Sequence, residues 1–170
     1  MQKIKVGIFF GGISPEHEVS LMSAKGIFSN IDRKKFNVIE ILIDKKGNFW
    51  TGKNILREGK VTKNKLSKLD LNSLNRTIDV AFPILHGEGG EDGAIQGLFE
   101  TLAIPYVGAD VSSSALCLDK GLFNDLMVVN NIAKPKYLVL DYGRDKQREI
   151  LIKLKCIGNS QNLLHLFTFC

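Results

Sequence analysis

The sequence predicts an α/β fold, with a mainly parallel, Rossmann-like sheet flanked by helices. Two observations carry this prediction. Short runs of β-branched and aromatic residues alternate with segments of helical spacing, and strands separated by helices of this length form βαβ units. The 170 residues suffice for one ordinary domain with a core, and 44% hydrophobic with 24% charged residues is a globular composition.

The first half of the chain predicts three strands and one helix. In order these are a strand over 3–10, a helix from Ser14-Pro15, a strand over 37–43 and, after a turn, a short extension at 49–50. Ser14 offers an N-cap oxygen and Pro15 suits the first helical position. Four residues of this helix recur at helical spacing and should pack on the sheet: Val19, Met22, Gly26 and Ile27.

The second half predicts further strand–helix units after a polar, lysine-rich stretch over 51–77 that should form loops and short helical turns. These units are a buried strand over 78–85, a helix capped by Asp92, a short strand over 104–107, helices over 112–120 and 122–130, and a strand over 136–140. The helix after Asp92 carries apolar residues at positions 95, 98, 99 and 102, which is the spacing of one helical face.

Charge and composition argue against several classes of protein. No run of 18 apolar residues predicts a transmembrane helix, and the start resembles a strand rather than a secretory signal. The net charge of +5 is concentrated between residues 31 and 70, where no nucleic-acid-binding motif appears, and this favours a solvated surface over nucleic-acid binding. The three cysteines, Cys117, Cys156 and Cys170, lack metal-like spacing and predict reduced thiols in a cytoplasmic protein.

Two loops, residues 11–20 and 86–97, follow predicted strands at the edge where parallel sheets bind ligands. In the first loop, Gly11-Gly12 allow close backbone approach. Glu16 falls in the first helical turn, where the helix dipole stabilises its ionised form by about 0.3–1 kcal/mol. A carboxylate fixed there suits an ammonium group. The alternative is that Glu16 and Glu18 only match the dipole on an exposed turn.

In the second loop, His86 could donate a hydrogen bond to a carboxylate or a developing oxyanion, or could simply be satisfied by a neighbouring carbonyl. One histidine with the loop carboxylates Glu88, Glu91 and Asp92 is a weak metal signature, so no metal site is expected. In a third stretch, over 113–120, Lys120 could reach a phosphate as a point charge or could be an ordinary surface lysine.

Together the stretches GGISPEHEVSL, HGEGGEDGAIQG and SSALCLDK resemble the amino-terminal region of the D-alanine–D-alanine ligases, as do IDKKGNFW and LAIPYVGAD. The resemblance covers about residues 3–140. It implies a pre-ATP-grasp domain over 1–140 of an ATP-grasp ligase. In that reaction ATP phosphorylates the carboxylate of one D-alanine and the amine of a second attacks, giving the dipeptide for peptidoglycan precursors.

The resemblance also implies roles for residues and partners. Glu16 would hold the ammonium of the first D-alanine, and His86 would lie beside its carboxylate and the tetrahedral intermediate. Val19 and Ser20 would shape the wall near Glu16, and Lys120 would contribute to the nucleotide phosphate site. ATP and Mg²⁺ are the implied cofactors, D-alanine the implied substrate, and a cytoplasmic homodimer the implied assembly.

Residues 141–170 depart from the family and end in NSQNLLHLFTFC. We expect them to be the start of a truncated ATP-grasp region with an atypical tail, of the kind that a frame change and premature stop would produce. They lack the family's metal ligands, so the chain alone is expected to be an inactive fragment. The alternative is a non-catalytic amino-acid-binding or dimerisation module.

Overall fold

The computed structural model describes residues 2–57, 60–62, 66–141 and 165–169. The chain divides into two compact units, Met1–Ala115 and Leu116–Cys170. The domain boundary expected at residue 140 lies inside the second unit. Most of the segment 141–170, including the expected ATP-grasp start, lies outside the described residues.

A five-stranded mixed sheet forms the centre of the first unit, in the order β6-β3-β2-β1-β7. Its strands are β1 (Ile4–Gly11), β2 (Phe36–Ile43), β3 (Phe49–Gly52), β6 (Ser67–Lys68) and β7 (Val80–Pro83), while β4 (Leu56–Arg57) and β5 (Lys60–Val61) pair separately. β1 runs parallel to both β2 and β7, and β3 and β6 extend the sheet antiparallel. The α/β class with a largely parallel centre is therefore confirmed.

Helices cover both faces of β1 because successive side chains of a strand point to opposite sides. On one face Phe9 packs edge-to-face on Phe99 with 4.8 Å between ring centroids. On the other face Ile8 and Phe10 belong to the cluster that contains Leu21. The helices of this unit are α1 (His17–Asn30), α2 (Leu74–Thr77), α3 (Ala94–Thr101) and α4 (Val111–Leu118), which crosses the unit boundary, with a 3₁₀ turn at Leu71–Ser73.

Helix α1 corrects two expectations. It begins at His17 rather than at Ser14-Pro15, with Glu16 at the N-cap position. Its buried face is also different, since Val19 is 51% and Met22 is 61% exposed. The buried residues of α1 are His17, Ser20, Leu21 and Ala24. Ile27, which was expected on the packed face, is partly buried against the same core. The apolar pattern predicted the wrong residues because two residues of the buried face, His17 and Ser20, are polar. Their side chains form hydrogen bonds with the backbone of the neighbouring loops.

Helix α3 follows the prediction, with Ile95 and Phe99 buried on one face. Its N-cap residue is Gly93, one position after Asp92, but the Asp92 carboxylate still accepts the Ala94 N–H at 2.9 Å. The short strand expected over 104–107 is reduced to a single parallel bridge between Ala81 and Tyr106.

The second unit contains α5 (Lys120–Val129) and two paired parallel strands, β8 (Tyr137–Asp141) and β9 (His165–Phe169). The Asp119 carboxylate caps α5 by accepting the Leu122 N–H at 3.0 Å, so Lys120 begins this helix rather than ending the previous one. Across the part of the chain that the structure describes, no helix combines the length and apolarity needed to cross a membrane.

Candidate functional site

The two predicted loops leave neighbouring parallel strands and meet at the same sheet edge. Ser20 joins them. Its hydroxyl accepts the Gly11 N–H at 2.8 Å and donates to the carbonyl of Ile84, and the side chain is fully buried. The end of β1 and the residue just after β7 are therefore held together through one side chain of α1.

Glu16, His86 and Glu91 converge at this edge. One potential ligand atom from each residue lies within 4.8 Å of the others. The Nε2 atom of His86 shares a hydrogen bond with Ser23 Oγ at 3.2 Å, and Glu91 Oε2 accepts the Gly87 N–H at 2.7 Å. The structure thus brings an imidazole and two carboxylates from separate loops into one cluster.

Gly87 allows the two loops to approach each other. Its φ of +69° is a conformation that favours glycine, and a Cβ atom there would lie 2.6 Å from Ser14 Oγ. The same Ser14 oxygen accepts the Glu16 N–H at 3.1 Å. Close packing of Gly87 on Ser14 therefore keeps Glu16 beside His86.

Side chains of the glycine-rich loop fix its conformation from within. Asp92 accepts the Gly89 N–H at 2.8 Å in addition to capping α3, and the buried Gln96 donates from Nε2 to the Gly90 carbonyl at 3.0 Å. Such side-chain to backbone bonds replace regular secondary structure in a loop. The glycine-rich loop therefore has a defined conformation, which the side chains of Asp92 and Gln96 hold by hydrogen bonds.

A cavity of about 200 Å³ adjoins the cluster. His86 and Glu88 contribute to its wall, which is otherwise mainly apolar, with Ile13, Phe49 and Leu98 among the lining residues. Glu16 does not line this cavity. The polar cluster and the apolar cavity therefore meet at His86.

The cluster carries uncompensated negative charge. Among the described residues, neither Glu16 nor Glu91 forms an ion pair, and both are exposed. The nearby Glu18 differs, because its carboxylate lies 3.2 Å from Lys45 Nζ at an exposed position. Such an arrangement could attract a small cation or an ammonium group.

The other predicted site residues have different outcomes. Ser20 is fully buried and bonds to both loops, so it can influence the predicted wall only by positioning them, and that role stays a prediction. Val19 lies one helical turn from Glu16 and is exposed, and its contact with a substrate stays a prediction. Lys120 belongs to the second unit, where its Nζ donates to the Cys117 carbonyl at 2.5 Å, and its nucleotide role stays a prediction.

Sequence reasoning missed the role of Ser23 and did not join Glu91 to Glu16. It expected a backbone-capping oxygen at Ser14, which does accept the Glu16 N–H, but it missed the contact of Ser14 with Gly87. Ser23 could have been found, because it follows Glu16 by two helical turns and therefore shares its face. Glu91 lies in an irregular loop, so its meeting with Glu16 depends on the fold and no sequence period marks it.

Comparison with known proteins identifies the family. Residues 5–109 match the family model described as D-ala D-ala ligase N-terminus. The D-alanine–D-alanine ligase of Caldicellulosiruptor bescii is 42% identical over 156 residues, which are 82% of this chain and 43% of that protein.

Two solved structures resemble this chain over nearly its whole length. The D-alanine–D-alanine ligase from Coxiella burnetii has a TM-score of 0.76 and 31% identity, covering 93% of this chain and 51% of that one. VanG D-Ala:D-Ser ligase from Enterococcus faecalis has a TM-score of 0.73 and 33% identity, covering 94% and 50%. The chain spans about half the length of these relatives. Since the family model matches more than half of its residues, the chain belongs to the family of D-alanine–D-alanine ligase amino-terminal domains.

Proposed function

We propose that this chain supplies the binding site for the first amino acid of a D-alanine–D-alanine ligase. The observation that carries the proposal is the meeting of the Glu16 carboxylate and the His86 imidazole at the ends of adjacent parallel strands. A zwitterionic amino acid needs an anionic group for its ammonium and a hydrogen-bond donor for its carboxylate. Glu16 and His86 provide this pair.

In this proposal Glu16 accepts charge-assisted hydrogen bonds from the ammonium of the first D-alanine. Ser23 fixes the His86 ring through Nε2, which directs the other ring nitrogen to donate toward the substrate carboxylate. The same donor then faces the oxyanion that develops when the second amine attacks. Val19 borders the ammonium site, and Ser20 keeps both loops in register.

The complete reaction would use ATP to phosphorylate the first D-alanine and would release ADP and phosphate on formation of the dipeptide. Lys120 is the residue of this chain assigned to the nucleotide phosphates. The described residues do not fit a Mg²⁺ site. Among them, the one cluster of three candidate ligands contains an imidazole, whereas Mg²⁺ prefers six oxygen ligands. A cytoplasmic location and a homodimeric assembly belong to the same proposal.

The proposal is tested by titrating D-alanine into the isotopically labelled chain and following amide shifts by NMR. Saturable shifts in the loops 11–20 and 86–97 are expected. Glu16→Gln should weaken binding at least about tenfold, because a hydrogen bond to a charged group contributes roughly 1.5–3 kcal/mol. Glu18→Gln is the matched control, since it removes one charge two residues away and should change the affinity less than twofold. Equal weakening by both variants, or no saturable shift, would contradict the proposal.

A further inference from the structure

We propose that Glu16, His86 and Glu91 form a binding site for a zinc-like transition-metal ion, and that this ion competes with the amino acid. Metal binding follows from the cluster alone, whereas the competition also rests on the proposed function. In the sequence, one histidine with the carboxylates of its own loop is only a weak metal signature, and Glu16 lies on another loop that is distant in the chain.

The geometry is within reach of coordination. The three donor atoms lie within 4.8 Å of one another. In a four-coordinate zinc site with bonds of about 2.0–2.1 Å, ligand atoms are separated by about 3.3 Å. Glu16 and Glu91 are exposed, so rotation of their side chains can close this difference while the backbone stays in place. A water molecule would complete the tetrahedron.

The donor chemistry selects the ion. Imidazole with two carboxylates suits zinc and similar transition metals, while Mg²⁺ and Ca²⁺ prefer oxygen ligands alone. The two carboxylates, which have no ion pairs among the described residues, would be neutralised by one divalent cation.

Outer partners already orient two of the three ligands. Ser23 Oγ lies 3.2 Å from His86 Nε2, so Nδ1 could coordinate the ion, and the Gly87 N–H bonds one oxygen of Glu91 at 2.7 Å, so the other oxygen could do the same. Metal sites typically hold their ligands through hydrogen bonds of this kind. This second set of contacts distinguishes the cluster from a chance group of exposed acids.

The ion and the amino acid would exclude each other at Glu16. The proposed function gives this carboxylate to a substrate ammonium, and a carboxylate bound to a divalent ion no longer attracts a cation. Zinc should therefore raise the apparent Kd for D-alanine, and D-alanine should raise that for zinc.

The test is calorimetric titration of ZnCl₂ into the untagged full chain with Cys117, Cys156 and Cys170 replaced by serine, so that thiols do not bind the ion. One ion per chain is expected. His86→Gln and Glu91→Gln should each weaken binding at least about tenfold, since loss of an outer partner alone costs 10–100-fold. Glu18→Gln should leave binding within twofold. Circular dichroism confirms that each variant is folded, and Glu91→Gln, at an exposed position, tests the proposal even if His86→Gln unfolds.

Two results overturn the inference: no zinc binding, or binding that Glu91→Gln and Glu18→Gln affect equally. Competition is measured by repeating the ZnCl₂ titration in the presence of D-alanine. The same titration with L-alanine corrects for zinc that is chelated by free amino acid in solution. The two proposals fail separately. Zinc binding that depends on Glu91 without any D-alanine binding contradicts only the proposed function, and D-alanine binding through Glu16 without zinc binding contradicts only this inference.

Discussion

At the scale of single residues, Gly87 connects backbone conformation to the chemistry of the site. Its positive φ and its contact with Ser14 leave no room for a side chain. Gly87→Ala should destabilise the fold by at least about 1 kcal/mol, because alanine at positive φ is strained, and should also weaken D-alanine binding. Urea unfolding and the NMR titration measure the two effects.

The matched control for this prediction is Gly97→Ala in α3, where an added Cβ meets nothing within 4 Å. That change should stabilise the fold by about 0.5–1 kcal/mol, because glycine is unfavourable within a helix. If both variants changed the free energy of unfolding in the same direction, the prediction that Gly87 has no room for a side chain would be wrong.

Asp44 makes stability depend on pH. Burial by itself raises its pKa, but hydrogen bonds from the Trp50 indole and from Asn48 and Lys46 lower the pKa to about 2, from 3.8. Because the folded pKa is depressed, the stabilisation is present above pH 4 and is lost as pH falls toward 2. The difference in unfolding free energy between the parent and Asp44→Asn should therefore shrink over that interval. A difference that is constant between pH 5 and 2.5 would show that the carboxylate does not contribute in this way.

The convergence of two of the predicted site residues was predictable from sequence, while their chemical roles stay predictions. The Glu16 carboxylate and the His86 imidazole were both expected at strand ends, and the structure brings them together. Ser23 was overlooked although it shares a helical face with Glu16, whereas the meeting of Glu91 with Glu16 depends on contact between two loops that are distant in sequence. Such contacts are fixed by the pairing of β1 with β7, which local patterns do not encode.

At the scale of elements, α1 shows where apolarity fails as a guide. The strands could be predicted because β1 and β2 are nearly continuous apolar runs, as buried parallel strands are. The face of α1 could not, since Ser20 and His17 are buried through hydrogen bonds, His17 Nδ1 lying 2.6 Å from the Gly12 carbonyl. A count of apolar positions treats both residues as solvent-facing.

The observed face of α1 predicts a contrast between two neighbouring residues. Leu21→Ala should destabilise the fold by about 2–5 kcal/mol, because Leu21 is 3% exposed and its removal leaves a cavity. Met22→Ala should cost less than about 0.5 kcal/mol, because Met22 is 61% exposed. Urea unfolding of both variants shows which face of α1 is buried. A larger loss of unfolding free energy for Met22→Ala than for Leu21→Ala would favour the face expected from sequence.

At the scale of the whole molecule, the described residues include the cluster that the proposed function assigns to an amino acid, but no cluster of three candidate ligands that suits Mg²⁺. Phosphoryl transfer depends on positioned cations and metal ions. We therefore expect the purified chain, incubated with ATP, Mg²⁺ and D-alanine, to release no ADP above a control without D-alanine. ADP release that depends on D-alanine would show that this expectation is wrong.

The parallel pairing of β1 with β7 has a consequence for how the site comes into being. Ser23 and His86, which share a hydrogen bond, are 63 residues apart in sequence. Closing so long a loop costs entropy that only the finished sheet recovers. In a partly folded chain in which β7 had not docked, Glu16 and His86 would lie apart, so the pair of groups that the proposed function assigns to the amino acid would not yet exist. An amino acid would then bind only to fully folded chains. Because it binds only this state, it would increase the fraction of chains that are fully folded.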